Sequence, residues 1–152
     1  MSSWEVDVRA WFPSQTEAYI GGRLADKKKG DGKVQLIFEL DDGSKQTVEA
    51  SEESLNDARN ASLPPLANPP MFEASEDLTN LSHLNEPAVL QAIKLRYAQK
   101  EIYTYSGIVL IATNPFARVD SLYVPGMVQV YAGKQRSSQA PHLFAIAEES
   151  FA

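Results

Sequence analysis

Between Lys33 and Leu40, apolar side chains fall on every second residue. Val34, Leu36, Phe38 and Leu40 alternate with mostly polar neighbours. Successive side chains of a strand point to opposite faces, so this period of two predicts a strand with one buried face. Asp42-Gly43 follows as a pair able to supply the positive φ of a tight hairpin, and Ser44 to Ala50 is predicted to return as the partner strand. Upstream, Val6 and Val8 alternate ahead of Trp11. Ala18-Tyr19-Ile20-Gly21-Gly22 opens another strand, whose glycines suit a sharp bend. About four or five short strands in this stretch predict a small closed antiparallel barrel, because closure removes edges that would otherwise pair with another chain.

Residues 63–72 hold four of the nine prolines. Proline fixes φ and donates no backbone hydrogen bond, so an extended connector is predicted there. Beyond it the period changes. Leu78, Leu81 and Leu84 recur every three residues, predicting one apolar stripe on a short helix. Asn85 is placed to cap a second helix with Pro87 in its first turn, and Val89, Leu90, Ile93 and Tyr97 would form its buried face. From Ile102 to Thr113 the chain is rich in β-branched and aromatic residues and is broken by Ser106-Gly107, which predicts two strands joined by a tight turn. The second, Ile108 to Ala112, is apolar on both faces, as a central strand of a larger sheet would be. A short helix is expected from Pro125 to Tyr131, stopping near Gly133. Another opens at Pro141 and runs through Leu143, Phe144, Ile146 and Ala147 to Ala152 without a glycine or asparagine cap. A strand built for burial on both faces and an uncapped last helix predict a piece of a larger domain.

Composition removes several function classes. Hydrophobic residues make up 43% and charged residues 22%, a balance that lets a globular core form. The net charge of −6, with acids spread along the chain, lacks the basic footprint of a nucleic-acid binder. The one basic run, Lys27-Lys28-Lys29 before Gly30-Asp31-Gly32, reads as a solvated hairpin tip, the alternative being a contact with an acidic partner. Without cysteine there are no disulfides and no cysteine-held zinc, and His83 and His142 have no ligand-like spacing. Neither a signal peptide nor a stretch near the roughly eighteen apolar residues of a membrane span is visible, so a cytosolic location is expected.

Enzyme signatures mostly fail. None of the eight glycines fits a G-x-x-x-x-G-K-[ST] phosphate loop, and Gly133-Lys134 is followed by Gln135 where a magnesium-binding Ser or Thr belongs. Gly133-Lys134 then reads as a helix end and a surface loop. Glu52-Glu53 and Glu148-Glu149 read as solvated faces, since neighbours on a helix point apart. The suggestive stretch runs from Ala112 to Tyr123, just after an apolar strand, where open α/β sheets place ligand loops. Asn114 offers an amide that both donates and accepts, suited to a purine edge; Arg118 would cover a ligand and Tyr123 would donate a hydroxyl. Asn-Pro is also an ordinary turn former, and on the residues alone that reading stands beside the first.

A family resemblance adds to this. His83-Leu84-Asn85-Glu86-Pro87-Ala88-Val89-Leu90, Leu95-Arg96-Tyr97, Ile102-Tyr103-Thr104-Tyr105-Ser106-Gly107 and Ala112-Thr113-Asn114-Pro115-Phe116 resemble the opening of a myosin motor domain, and Pro141 to Ala147 resembles the helix before its phosphate-binding loop. Trp11-Phe12-Pro13 and Tyr19-Ile20-Gly21-Gly22 resemble the SH3-like β-barrel that precedes many myosin motors, most like a fungal class V organelle-transport myosin. The resemblance implies an α+β chain with an SH3-like barrel over residues 1–62, a proline-rich linker over 63–71, and over 72–152 the first part of a P-loop-type α/β motor domain. Asn114, Pro115, Phe116, Ala117, Arg118 and Tyr123 would be the purine-binding loop for ATP, with Tyr123 one residue later than in many myosins. Catalytic residues and magnesium ligands are expected in neither region. The parent would be an actin-activated ATPase, dimeric, cytoplasmic and carrying light chains or calmodulin, while this chain alone would be inactive. The alternatives are a stand-alone SH3-like interaction module and an unrelated nucleotide binder, which the ordered match disfavours.

Overall fold

The computed structural model describes residues 4–30, 32–57 and 62–151. Asp31 of the expected hairpin tip, residues 58–61 at the end of the expected barrel, and Ala152 lie outside the described residues. The chain divides into two compact units, residues 1–68 and 69–152.

The first unit is an antiparallel sheet of β1 (Arg9–Ser14), β2 (Ala18–Gly30), β3 (Lys33–Leu40) and β4 (Lys45–Ser51), paired in chain order. The period-two reading of β3 holds: Val34, Leu36 and Phe38 are fully buried, and Leu40 is half-buried. They join Trp4, Ala10, Phe12, Leu24, Ala50 and Leu55 in one core, in which the Phe12 and Phe38 rings meet edge-on at 4.9 Å. The Asp42-Gly43 turn forms with Gly43 at φ +84°, and the Asp42 carboxylate accepts from the Ser44 N–H at 2.9 Å. Gly22 answers a close approach. A Cβ there would stand 2.6 Å from Leu40 Cδ2 and 2.9 Å from Phe12 Cε2, so no side chain fits.

The expected closed barrel is corrected to a curled half-barrel. The first part of β2 pairs with β1 and its later part with β3, and a bulge between Leu24 and Asp26 turns the strand between the two jobs. The outer edge of β1 is covered instead by residues 65–67: the Trp11 N–H donates to the Pro65 carbonyl at 2.8 Å and the Ala67 N–H to the Arg9 carbonyl at 2.9 Å. A proline carbonyl accepts as well as any other, which lets a proline-rich segment cap an edge. Lys27 to Lys29 lie within β2 rather than at the hairpin tip. Lys29 pairs with Glu52 at 2.9 Å, and Lys27 Nζ donates to the Trp4 carbonyl at 3.0 Å.

The second unit holds α1 (Pro70–Glu73), α2 (Glu86–Ala98), the hairpin β5 (Tyr103–Ser106) and β6 (Val109–Ala112), α3 (Met127–Tyr131) and α4 (Leu143–Phe151). Asn85 caps α2, its Oδ1 accepting from the Ala88 N–H at 3.0 Å. Leu78 and Leu81 are buried around a single 3₁₀ turn, Leu78–Asn80, but Leu84 falls beyond it and is exposed. The buried face of α2 is also corrected: Ala88, Ala92 and Arg96, four residues apart, face inward, while Leu90 and Tyr97 are exposed. The two small alanines admit Leu78 and Leu81 closely, and the larger apolar side chains lie on the flanks. β6 is paired with β5 alone, so Ile108 and Val109 are exposed where burial on both faces was expected. Leu143 and Ala147 of α4 are exposed too, and that helix packs through Ala145, Phe144 and Ile146. Among the described residues no helix is long and apolar enough to cross a membrane.

Candidate functional site

The 112–123 segment leaves β6 and is shaped by its own side chains. Asn114 Oδ1 accepts from the Phe116 N–H at 2.9 Å, closing a local turn of the kind asparagine favours. This commits one lone pair of the amide and leaves the rest of the exposed carboxamide to other partners. Phe116 sits at φ +48°, a left-handed backbone that a bulky L residue rarely adopts, and the residue is 89% exposed. Strain of this kind persists where the surroundings fix the chain. One fixing contact is the Tyr97 hydroxyl, which donates to the Pro115 carbonyl at 3.1 Å. The expected buried-face role of Tyr97 is thereby replaced by a tether from α2 to the loop.

Pro115, Ala117, Arg118 and Tyr123 line one open pocket of about 400 Å³ together with Ile102, Val119, Asp120 and Leu122. Asn114 and Phe116 stand outside its lining. The walls are mostly apolar. Arg118, with its side chain 92% exposed, pairs with Asp120 at 3.3 Å.

A buried support under the loop was not read from the sequence. Arg96, with its side chain 5% exposed, donates through Nε to Thr104 Oγ1 at 3.0 Å and through Nη2 to the Tyr103 carbonyl at 2.8 Å, fixing the end of α2 to β5. Tyr103 and Tyr123 are hydrogen-bonded through their hydroxyls, so β5 in turn holds the loop. Burial and that hydrogen bond push the Tyr103 phenol far above its usual range, so it is neutral at any physiological pH. His142 is the hub of the cluster: its ring stacks on Tyr131 at 5.0 Å and meets Tyr103, Tyr123 and Phe144 at 5.2, 5.3 and 4.6 Å. The signal available in the sequence was aromatic density, with Tyr103, Tyr123, Tyr131 and Phe144 spread too widely for any spacing rule to join them.

On β5's other side, burial works against the Asp77 charge. The N–H groups of Thr79 and Gly107, at 2.9 and 3.1 Å, outweigh it together with the Thr79 hydroxyl and Arg136, and hold the carboxyl below its usual range. Glu148 and Glu149, expected as a solvated pair, each take a partner: Glu148 accepts from the Gly133 N–H at 2.8 Å and Glu149 pairs with Arg136 at 3.2 Å.

Residues 75–152, which include the loop and its whole support, match the myosin head (motor domain) family. The chain belongs to that family. The likeness extends upstream through the sheet unit. Myosin-2 of Saccharomyces uvarum is 56% identical over 149 residues, covering 98% of this chain and 9% of that protein. Myosin-4 of Saccharomyces cerevisiae is 48% identical over 149 residues, with 98% and 10% covered. Unconventional myosin-Vc of Homo sapiens is 38% identical over 145 residues, with 94% and 8% covered. This myosin chain thus spans about a tenth of the length of these relatives. The lining is mostly apolar and carries one opposed pair, Arg118 and Asp120, so it presents no cluster of cations to the phosphates of a nucleotide such as the family implies. Among the described residues no three carboxylates or histidines converge as a metal site.

Proposed function

We propose that Asn114, Pro115, Phe116, Ala117, Arg118 and Tyr123 hold the adenine end of ATP in an actin-based, ATP-driven motor of class V type, which moves organelles or vesicles. The observation that carries this reading is the single apolar pocket to which Pro115, Ala117, Arg118 and Tyr123 contribute. Its volume, about 400 Å³, is in the range of small-molecule sites, and a flat purine suits walls of Pro115, Ala117, Leu122 and the Tyr123 ring. Arg118, held among the described residues only by its exposed pair with Asp120, can fold over the base, and the Asn114 amide can meet its edge. In this reading residues 1–62 are an SH3-like domain, 63–71 its linker and 72–152 the start of the motor. Actin filaments, and light chains or calmodulin, engage other parts of a dimeric cytoplasmic protein.

The 152 residues contain no G-x-x-x-x-G-K-[ST] sequence, so they lack the backbone amides, lysine and hydroxyl that bind phosphates and place charge against the transferring group. Base contacts alone offer only a few kcal/mol before the cost of association, which leaves affinity at roughly millimolar or weaker. The test is to titrate residues 1–152 with a fluorescent ATP analogue and to assay phosphate release. In a complete motor carrying this segment, Asn114→Ala should weaken nucleotide binding more than it slows the chemical step. Steady ATP turnover by residues 1–152, or unchanged affinity in that variant, overturns the reading.

A further inference from the structure

We infer that His142 is a positioning residue for the 114–123 loop, holding Leu122 and Tyr123 through its neutral imidazole, and that protonating this ring releases the loop. The partners assign the tautomer. A backbone N–H only donates, so the Phe144 N–H at 3.0 Å makes His142 Nδ1 an acceptor. A carbonyl only accepts, so the Leu122 oxygen at 3.0 Å places the proton on Nε2. The ring therefore ties the start of α4 to the 3₁₀ turn Asp120–Leu122, next to Tyr123. A second proton on Nδ1 would set two donors face to face. Whether the Phe144 bond breaks or the ring swings away from Leu122, the tie through the ring between the start of α4 and the loop is lost, and the loop is released from that helix.

Among the described residues no carboxylate pairs with the ring. It is 1% exposed, and the groups facing it are Tyr103 from β5, Tyr123 from the loop, Tyr131 from α3 and Phe144 from its own helix. Burial also pushes the Tyr131 phenol up, helped by the negative field of Glu76 and Glu101. From the 3₁₀ turn Arg136–Ser138, Arg136 lies over the Tyr105 ring and pairs with Glu149, so these two charges meet each other. Burial depresses the His142 pKa below its usual value of 6.5, while the Leu122 carbonyl pulls weakly the other way. The unfolded chain thus takes up this proton before the folded one does. The stability tied to the ring is complete above pH 6.5, falls as pH drops beneath that value, and is gone once the folded ring is protonated.

The functional weight of this device rests on the purine-side reading of the loop, but its test does not. Residues 1–152 labelled with ¹⁵N-histidine and ¹³C-tyrosine are followed by NMR from pH 8 to about pH 4.5, a window spanning the ordinary imidazole value. The expected result is that His142 shows protonated Nε2 and acceptor Nδ1 at neutral pH. The Tyr123 and Tyr103 rings should then shift with the midpoint of His142, while Tyr19 of the sheet unit stays put. His142→Gln, which keeps a donor for Leu122 and does not titrate, should abolish the shift at Tyr123. If that variant does not fold, the shared or separate midpoints in the unaltered chain still decide. A Tyr123 ring indifferent to the titration of His142, or a His142 ring bearing its proton on Nδ1, overturns the inference. Adenosine that leaves Tyr123 unmoved at every pH sinks the purine reading and leaves this coupling intact.

Discussion

In the sheet unit, nine side chains meet in one core around Phe38, and among the described residues Val6 is the one large apolar side chain of that unit left substantially exposed. In residues 69–151, fourteen such side chains are exposed, and burial is divided between two small clusters. The second unit is ordered instead by polar and aromatic fixtures: the Arg96 clamp, the Asp77 turn and the His142 hub. A sheet with one apolar face completes itself by curling. A helix with apolar flanks, or a strand apolar on both sides, asks for cover on more than one side. Where that cover is not supplied, hydrogen bonds and rings must fix the geometry. A loop resting on such fixtures is exact in position without sitting on a large core.

The comparison can be broken most forcefully at Phe38. It is completely buried and touches the rings of Trp4 and Phe12, so Phe38→Ala should cost about 3–5 kcal/mol, most of what a unit of this size possesses. Both tryptophans, Trp4 and Trp11, lie in the sheet unit, and five of the six tyrosines lie in residues 97–131. Tryptophan emission should therefore shift to the red while tyrosine near-ultraviolet dichroism is kept. Loss of both signals together would mean that the units do not stand separately.

The same contrast governs what the sequence disclosed. Alternation over Val34 to Phe38 named its own buried face because one face of a strand is all that pattern can mean. Asn85, Gly43 and Gly107 were legible because caps and turns are local chemistry, complete within three or four residues. Leu84, Leu90, Tyr97 and Val109 were misplaced for one reason. Their apolarity was taken as burial, and apolarity says only that burial is favourable, not that a neighbour is present. The loop itself was visible as Asn114-Pro115 after a strand. Its support was not, because Arg96, Tyr103, Tyr123 and His142 are joined only by the fold, and in the sequence a buried arginine looks like any other.

Arg96 sharpens the contrast at the next scale. Arg96→Leu keeps the helix and removes two donors, leaving the Tyr103 carbonyl and the Thr104 hydroxyl buried without them. The cost should be about 2–3 kcal/mol, confined to the second unit. Urea unfolding followed by tyrosine dichroism should show the lower midpoint, and tryptophan emission should not move. Equal shifts in both signals would show that the clamp serves the whole chain. No shift would show that packing, rather than polar anchoring, holds α2 to β5.

Arg118 marks the small end of the scale, where stability and function should come apart. Its side chain is almost wholly in water and its one ion pair, with Asp120, is a surface pair of the sort that rarely registers in measured stability. Arg118→Ala should leave the urea midpoints of both units where they were. Yet Arg118 borders the pocket shared by Pro115, Ala117 and Tyr123, and it is the one cation in that lining. A guanidinium stacked over a purine gains on the order of 1 kcal/mol from the face of the ring. In a complete motor carrying this segment, the substitution should therefore weaken ATP binding several-fold with unchanged melting. Arg118→Lys should recover only part of the loss, because an ammonium lacks the planar surface that stacks. A variant that melts early would make Arg118 a structural residue. One that binds ATP normally would remove it from the site and leave the pocket to its apolar walls.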